Sequence, residues 1–184
     1  MITKDEAMAL LKAHNPEPHM VSHALESEAV LAAMAEKLGQ DAALWGLTGL
    51  LHDVDYPMTK DDPAKHGLMA LDILAGKLPD EALAAIAAHN SEYTGKAPQT
   101  AFDYALRCGE TVTGLISAAA LVRPTKMEGM KAKSLKKKMK DKSFAANVRR
   151  EVLQECEKAG LSLDDFLTLS IEAITKIAPQ VGLA

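Results

Sequence analysis

Four histidines, an aspartate and a glutamate stand out by residue type and place: His23, the adjacent pair His52-Asp53, His66, His89 and Glu110. Imidazole and carboxylate are the usual protein ligands of zinc, manganese and iron. Groups so far apart along a chain meet at one ion only if several elements converge on it. The vicinal pair is the informative part. Consecutive helical residues diverge by about 100°, so both side chains can serve one metal only where the helix ends and the backbone loosens. Alternatively, the carboxylate bridges two metals with its two oxygens, and Asp53 suits either arrangement. A buried carboxylate is costly without a cation, and a divalent metal is the strongest partner available to it. Read alone, His-Asp is also an ordinary way to end a helix. The pair takes its weight from the other four residues.

The elements that must position these groups are helical. Ala, Leu and Met dominate a chain of 184 residues that is 48% hydrophobic but only 4% aromatic, and residues that favour strands are sparse. Thr3 with Glu6 forms a capping box that opens a short helix to about Lys12. A long helix is expected from about His19 to Leu38, ended by Gly39. Asp41 caps the next, ALWGLTGLLHD, which is apolar nearly all round and therefore central; Asp55-Tyr56-Pro57 stops it. Asp62-Pro63 reads as an N-cap followed by proline at the first helical position, which predicts a helix over AKHGLMALDIL to Gly76. Pro79 starts DEALAAIAAHN, and a sixth helix runs from about Gln99 to Leu121. The basic segment holds a shorter helix, Ser143 caps FAANVRREVLQECEKA, and Ser162 with Asp165 opens a last helix through Ile177.

The expectation is one all-α domain over residues 1–184. About seven helices build a metal-site core at about 19–124, and the basic segment and two further C-terminal helices pack beside it at about 125–184. His23 then lies in the second helix, His52-Asp53 ends the third, His66 sits in the fourth, His89 closes the fifth, and Glu110 interrupts an otherwise apolar sixth.

Charge is unevenly spread. From Lys126 to Arg150 there are ten Lys or Arg against two acids, a local net of +8 beside −12 elsewhere. The acidic body argues against general nucleic-acid binding, and no aromatic residues interleave with the lysines for base stacking. Cys108 and Cys156 match no disulfide or metal spacing, which suits a reducing cytoplasm. The N-terminal MITKDEAMALLKAH is charged throughout and lacks the apolar core of a signal peptide, and no apolar run reaches the roughly 20 residues that span a bilayer.

The order His, His-Asp, His, His, acid resembles the signature of the HD superfamily of metal-dependent phosphohydrolases. The phrases HALESEAV, LWGLTGLLHDVDYP, KHGL, AIAAHN, TGLISAAALVRPTK and KSLKKKMKDKSFAANVRRE are similar to a small bacterial-type group of HD (HDIG-like) proteins. The resemblance implies the HD helical bundle, with His23, His52, Asp53 and Glu110 around a first metal and His66, His89 and Asp53 around a second. The family has Asp where this chain has Glu110, and the Gly-Tyr-Pro motif of cyclic-dinucleotide-cleaving members is absent.

The expected activity is hydrolysis of a phosphate ester or nucleotide by metal-activated water, with Asp53 and His52 at the reaction centre. The cofactor is one or two divalent ions (Mn, Fe, Ni, Mg or Zn). The partner is a small phosphorylated or nucleotide substrate, and a homo-oligomer is compatible with the sequence. Arg123 and Lys126, with Lys133 and Lys137 of the lysine stripe, are the candidate phosphate ligands. Asp55 is placed either to orient a histidine N–H or to form a turn. Two other readings share the ligand set: an HD-fold di-iron oxygenase, and a non-catalytic metal- or ligand-binding sensor.

Overall fold

A capping box begins the chain's first helix, α1 (Lys4–His14): the Thr3 hydroxyl accepts from the Glu6 N–H and the Glu6 carboxylate accepts from the Thr3 N–H. The computed structural model describes residues 1–15 and 17–184, and among them every regular element is helical. Proline at the first position opens α2 (Pro18–Leu38), and Gly39, left-handed at φ 67°, ends it. In α3 (Ala42–Leu51), Asp41 caps the Leu44 N–H and every residue from Leu44 to Leu51 is buried. The helices α2 and α3 approach so closely that a Cβ at Gly49 would lie 2.7 Å from the Ser27 carbonyl oxygen. Backbone meets backbone here, and this contact sets the histidine-bearing α2 against the end of α3.

The remaining elements are α4 (Tyr56–Thr59), α5 (Met69–Leu74), α6 (Asp80–His89), α7 (Ser91–Thr94), α8 (Ala101–Leu121), α9 (Ala132–Met139), α10 (Arg150–Leu153), which runs into a 3₁₀ turn at Gln154–Glu157, and α11 (Leu163–Ile177). Long α2 packs against α3, α8 and α11, while α6 lies on α8. Trp45 of α3 stacks on Phe102 of α8 with ring centroids 4.7 Å apart. One apolar core runs through Leu31, Leu50, Ile86, Leu106 and Ile116 and continues into Leu135, Leu153 and Phe166. No described helix is long and apolar enough to cross a membrane.

The all-α bundle is as expected, but two segments depart from the predicted helices. Residues 63–68 form turns, so His66 does not sit on a helix and α5 begins only at Met69. The cause is local: Gly67 has φ 85°, and the Asp55 carboxylate accepts from the N–H groups of Gly67 (2.8 Å) and Ala70 (3.0 Å). A continuous helix would have tied those N–H groups to the carbonyls of Pro63 and His66.

The second departure is the helix expected from Ser143. Residues 142–147 are turns, with Ala145 at φ 46°. The Arg150 guanidinium draws in the carbonyls of Asp141, Phe144, Ala145 and Val148, folding the chain around itself. Two short helices, α4 and α7, were not anticipated; α7 follows directly on His89 and Asn90.

Candidate metal centre

The Asp53 carboxylate is the middle of the site. Its Oδ1 lies 3.3 Å from His52 Nε2, 3.1 Å from His66 Nε2 and 3.5 Å from His89 Nε2, while Oδ2 lies 3.6 Å from His23 Nε2. The imidazoles face one another in pairs, His23 with His52 at 3.2 Å and His66 with His89 at 3.1 Å between Nε2 atoms. Two donor groups share the aspartate: His23, His52 and Asp53, and Asp53, His66 and His89. Ligands about 2.1 Å from one ion at angles near 90–109° stand roughly 3.0–3.4 Å apart, which is the spacing of these nitrogens.

The other ring nitrogen fixes each tautomer. His52 Nδ1 donates to the Gly49 carbonyl at 2.7 Å and His89 Nδ1 to the Ile86 carbonyl at 2.6 Å, and a carbonyl can only accept. His66 Nδ1 donates to the Asp55 carboxylate at 3.0 Å. The Thr113 hydroxyl gives its proton to the Glu110 carbonyl, so it accepts from His23 Nδ1 at 2.8 Å. In the neutral imidazoles, then, every Nε2 that faces Asp53 carries a lone pair. Lone pairs at such distances from one another and from a carboxylate repel unless a cation stands among them. The donor set therefore fits a divalent ion in either group.

The electrostatics agree. Burial pushes the His52 pKa down to about 3, against the raising effect of Asp53, so this imidazole stays neutral and available as a ligand. Burial opposes ionisation of Asp53, but the facing imidazoles, led by His52, outweigh it and hold the carboxyl well below its usual range. Burial would also lower His66; hydrogen bonds to Asp53 and Asp55 outweigh it and carry the ring up to about 10. The position between His66 and Asp53 thus demands positive charge, from a proton or from a metal that displaces it.

The surrounding residues hold these ligands in place. Asp55 is fully buried and orients His66 while its second oxygen pins the turn at Gly67. A side chain at Gly67 would put its Cβ 2.9 Å from His89 Cε1, so this position needs glycine both for its backbone angle and for the neighbouring ring. Asn90 donates to the Pro63 carbonyl at 2.8 Å, tying the His66 turn to the end of α6. Buried Arg107 clamps that same end onto α8: Nη1 donates to the carbonyls of Ala88 and His89, and the guanidinium pairs with Glu92 at 2.6 Å and Glu155 at 2.7 Å.

The site opens into a cavity of about 380 Å³. Glu110 lines this cavity, but the structure does not bring it into either donor group: its Oε1 accepts from the Thr111 hydroxyl at 2.5 Å. Burial raises its pKa, with His23 acting in the opposite sense.

The four basic residues expected to hold phosphate are elsewhere. Arg123 lies beyond the end of α8 and donates to the carbonyls of Lys126 and Glu128, closing a turn. The eleven helical residues 111–121, at about 1.5 Å each, set it roughly 16 Å along the helix from Glu110. The Lys126 ammonium donates to the Gly182 carbonyl at 2.9 Å, fastening the C-terminus. Lys133 and Lys137 are exposed on α9, and neither lines the cavity.

The cation that does line it is Arg149, beside Asn147 and Val148 and paired with Glu92. Tyr93 borders the mouth with 62% of its surface exposed. Arg149 was hidden from sequence reading because it belongs to the segment that looks like a capped helix. Asn90, directly after the candidate ligand His89, and Tyr93, four residues beyond it, carried a signal by that position.

A family model described as HD domain matches residues 20–141, the stretch that holds all the histidine and acid candidates. Searches of curated proteins and of solved structures gave no match.

Proposed function

This chain belongs to the HD-domain family, and from that premise we propose that it is a divalent-metal phosphohydrolase acting on a phosphate ester or nucleotide small enough to enter the cavity. The observation that carries the reading is the ring of four histidine Nε2 atoms around one buried carboxylate, opening into a cavity with an arginine in its wall. His23, His52 and Asp53 would hold one ion, and His66, His89 and Asp53 a second. A divalent ion bound there supplies Lewis acidity, making water a better nucleophile and neutralising phosphoryl charge.

The chain's own groups do the rest. Asp53 joins the two donor groups, so that substrate and water are handled at adjacent positions. Arg149 offers N–H donors to a phosphoryl oxygen in exchange for its Glu92 partner. Glu110, with its raised pKa, takes a proton from the attacking water. A bond forms from the water oxygen to phosphorus, the ester P–O bond breaks, and the alcohol leaves with the proton that Glu110 took from the water.

The test is to purify the protein without added metal, measure its metal content, and assay phosphate release from esters and nucleotides with Mn, Fe, Ni and Mg. Phosphate release that depends on metal is expected, with both metal and turnover lost in Asp53→Ala and His52→Ala. Metal-dependent turnover retained in both variants would refute the assignment, and oxygen uptake by the iron form without phosphate release would replace it with the oxygenase reading. Glu110→Gln is expected to lose at least about 100-fold in kcat, the scale of a proton-transfer group, while keeping its metal; loss of the metal would instead make Glu110 a ligand.

A further inference from the structure

The stretch that carries Arg149 has a second face. Val148 and Arg149 line the metal cavity, and they also line a separate groove of about 590 Å³ together with Lys140, Lys142, Arg150 and Glu151. Four cations and a single carboxylate border this groove. It shares Val148 and Arg149 with the metal cavity.

Arg149 is paired with Glu92 and lies 3.7 Å from Glu151, but the other three cations have no carboxylate partner among the described residues. Lys136 is paired with Asp164 at 2.9 Å, and Lys138 lies over the Phe144 ring at 4.1 Å. Lys140 and Lys142 have no ion pair among the described residues. Arg150 donates only to backbone carbonyls, which leave its charge in place, and its Nε is buried without a partner among the described residues. The same bonds fix the backbone of residues 141–148 around the guanidinium, so the groove is built before any ligand arrives. By contrast, the metal cavity holds Asp53, Glu92 and Glu110 against one arginine. Its surplus is acidic, and beyond Arg149 no lysine or arginine lines it to meet further phosphates.

We infer that the groove is a binding site for the remaining phosphates of a multiply phosphorylated substrate, whose reacting phosphoryl group sits in the metal cavity. This rests on the phosphohydrolase reading and narrows its substrate class to a phosphate anhydride chain, free or carried on a nucleoside. A single-stranded nucleic acid fits less well, because no aromatic side chain lines the groove to stack a base. A run of phosphates needs only closely spaced cations in a concave surface.

The test compares equilibrium binding of tripolyphosphate, inorganic phosphate, a nucleoside triphosphate and a short single-stranded oligonucleotide to the metal-containing protein. Wild type is set beside Lys140→Gln/Lys142→Gln and, as a charge-matched control, Lys133→Gln/Lys137→Gln. The preference for tripolyphosphate over phosphate is expected to fall at least about 10-fold in the first variant, the scale of one or two lost charge-assisted contacts, and to stay within about twofold in the control. Tighter binding of the nucleoside triphosphate than of tripolyphosphate would identify the nucleoside-borne chain, and equal binding the free chain. An equal fall in both variants, no fall in either, or an oligonucleotide that outcompetes tripolyphosphate would overturn the inference. Lysine-dependent tripolyphosphate binding without turnover of any phosphate ester or anhydride would uphold the groove and remove the hydrolytic reading; turnover of either with an unchanged preference would do the reverse.

Discussion

The two walls of the cavity are built differently. On the histidine wall, each ligand is held from behind by a group with one geometry: the carbonyls of Gly49 and Ile86, the Thr113 hydroxyl and the buried Asp55 carboxylate. On the opposite wall, residues 147–149 are half-buried or exposed, and Arg149 is held by the partly exposed Glu92. Buried hydrogen bonds of fixed direction keep donors at a spacing an ion requires, and a surface ion pair leaves an arginine free to exchange partners. On the proposed function the contrast divides the work: one wall would be preorganised for metal, the other adaptable to an anion.

Breaking the first wall should have the larger effect. Asp55→Asn leaves the volume unchanged but replaces one accepting oxygen with an amide donor, so it cannot serve His66 and the N–H groups of Gly67 and Ala70 together. Metal affinity is expected to fall about 10–100-fold, as for other groups that orient metal-bound histidines, measured by competition with a chelator. Unchanged affinity would mean that the His66 orientation does not matter.

Breaking the second wall should leave metal binding alone. Arg149→Gln is expected to raise KM for a phosphoester by roughly 10-fold, the value of a charge-assisted hydrogen bond, with metal content intact and stability within about 1 kcal/mol of wild type. Metal loss in this variant would show that the two walls are not separable.

The smallest effect concerns pH. In the metal-free protein, His52 is held to about 3 and His66 raised to about 10, against an ordinary value of 6.5. Between about 3 and 6.5 the unfolded chain binds a proton that folded His52 refuses, so stability rises with pH. Between 6.5 and about 10 folded His66 keeps a proton the unfolded chain has released, so stability falls. The melting temperature of metal-free protein is therefore expected to peak near pH 6.5. His66→Gln should flatten the alkaline side. A profile that rises steadily through pH 9 would contradict the charges assigned to the first wall.

The same two walls differ in how far the sequence discloses them. His23, His52, Asp53 and His89 sit on or directly after strongly patterned helices with readable ends, at Gly39, Asp41 and Pro79, so the elements that bring them together could be read from the sequence. His66 was identified but misplaced, because Asp62-Pro63 has the form of a helix start. The deciding interaction, Asp55 reaching the N–H of Ala70, spans 15 residues. Gly67 beside His66 was the available clue. Arg149 was missed for the same reason in stronger form. The helix expected after Ser143 is undone by one arginine gathering carbonyls from nine residues back, an interaction that no local pattern encodes. The lysine-rich stretch drew attention to α9, whereas the cavity borrows from the chain just beyond it.

Histidine ¹⁵N spectroscopy during titration with zinc tests the central claim most directly. In metal-free protein the rings of His23, His52 and His89 are expected to carry their proton on Nδ1, and added zinc should shift the Nε2 signals of all three and remove the Nε2 proton of His66. His14 and His19 should stay unmoved as internal references. Nε2-protonated rings at residues 52 and 89, or Nε2 signals indifferent to zinc, would contradict a metal centre built around Asp53.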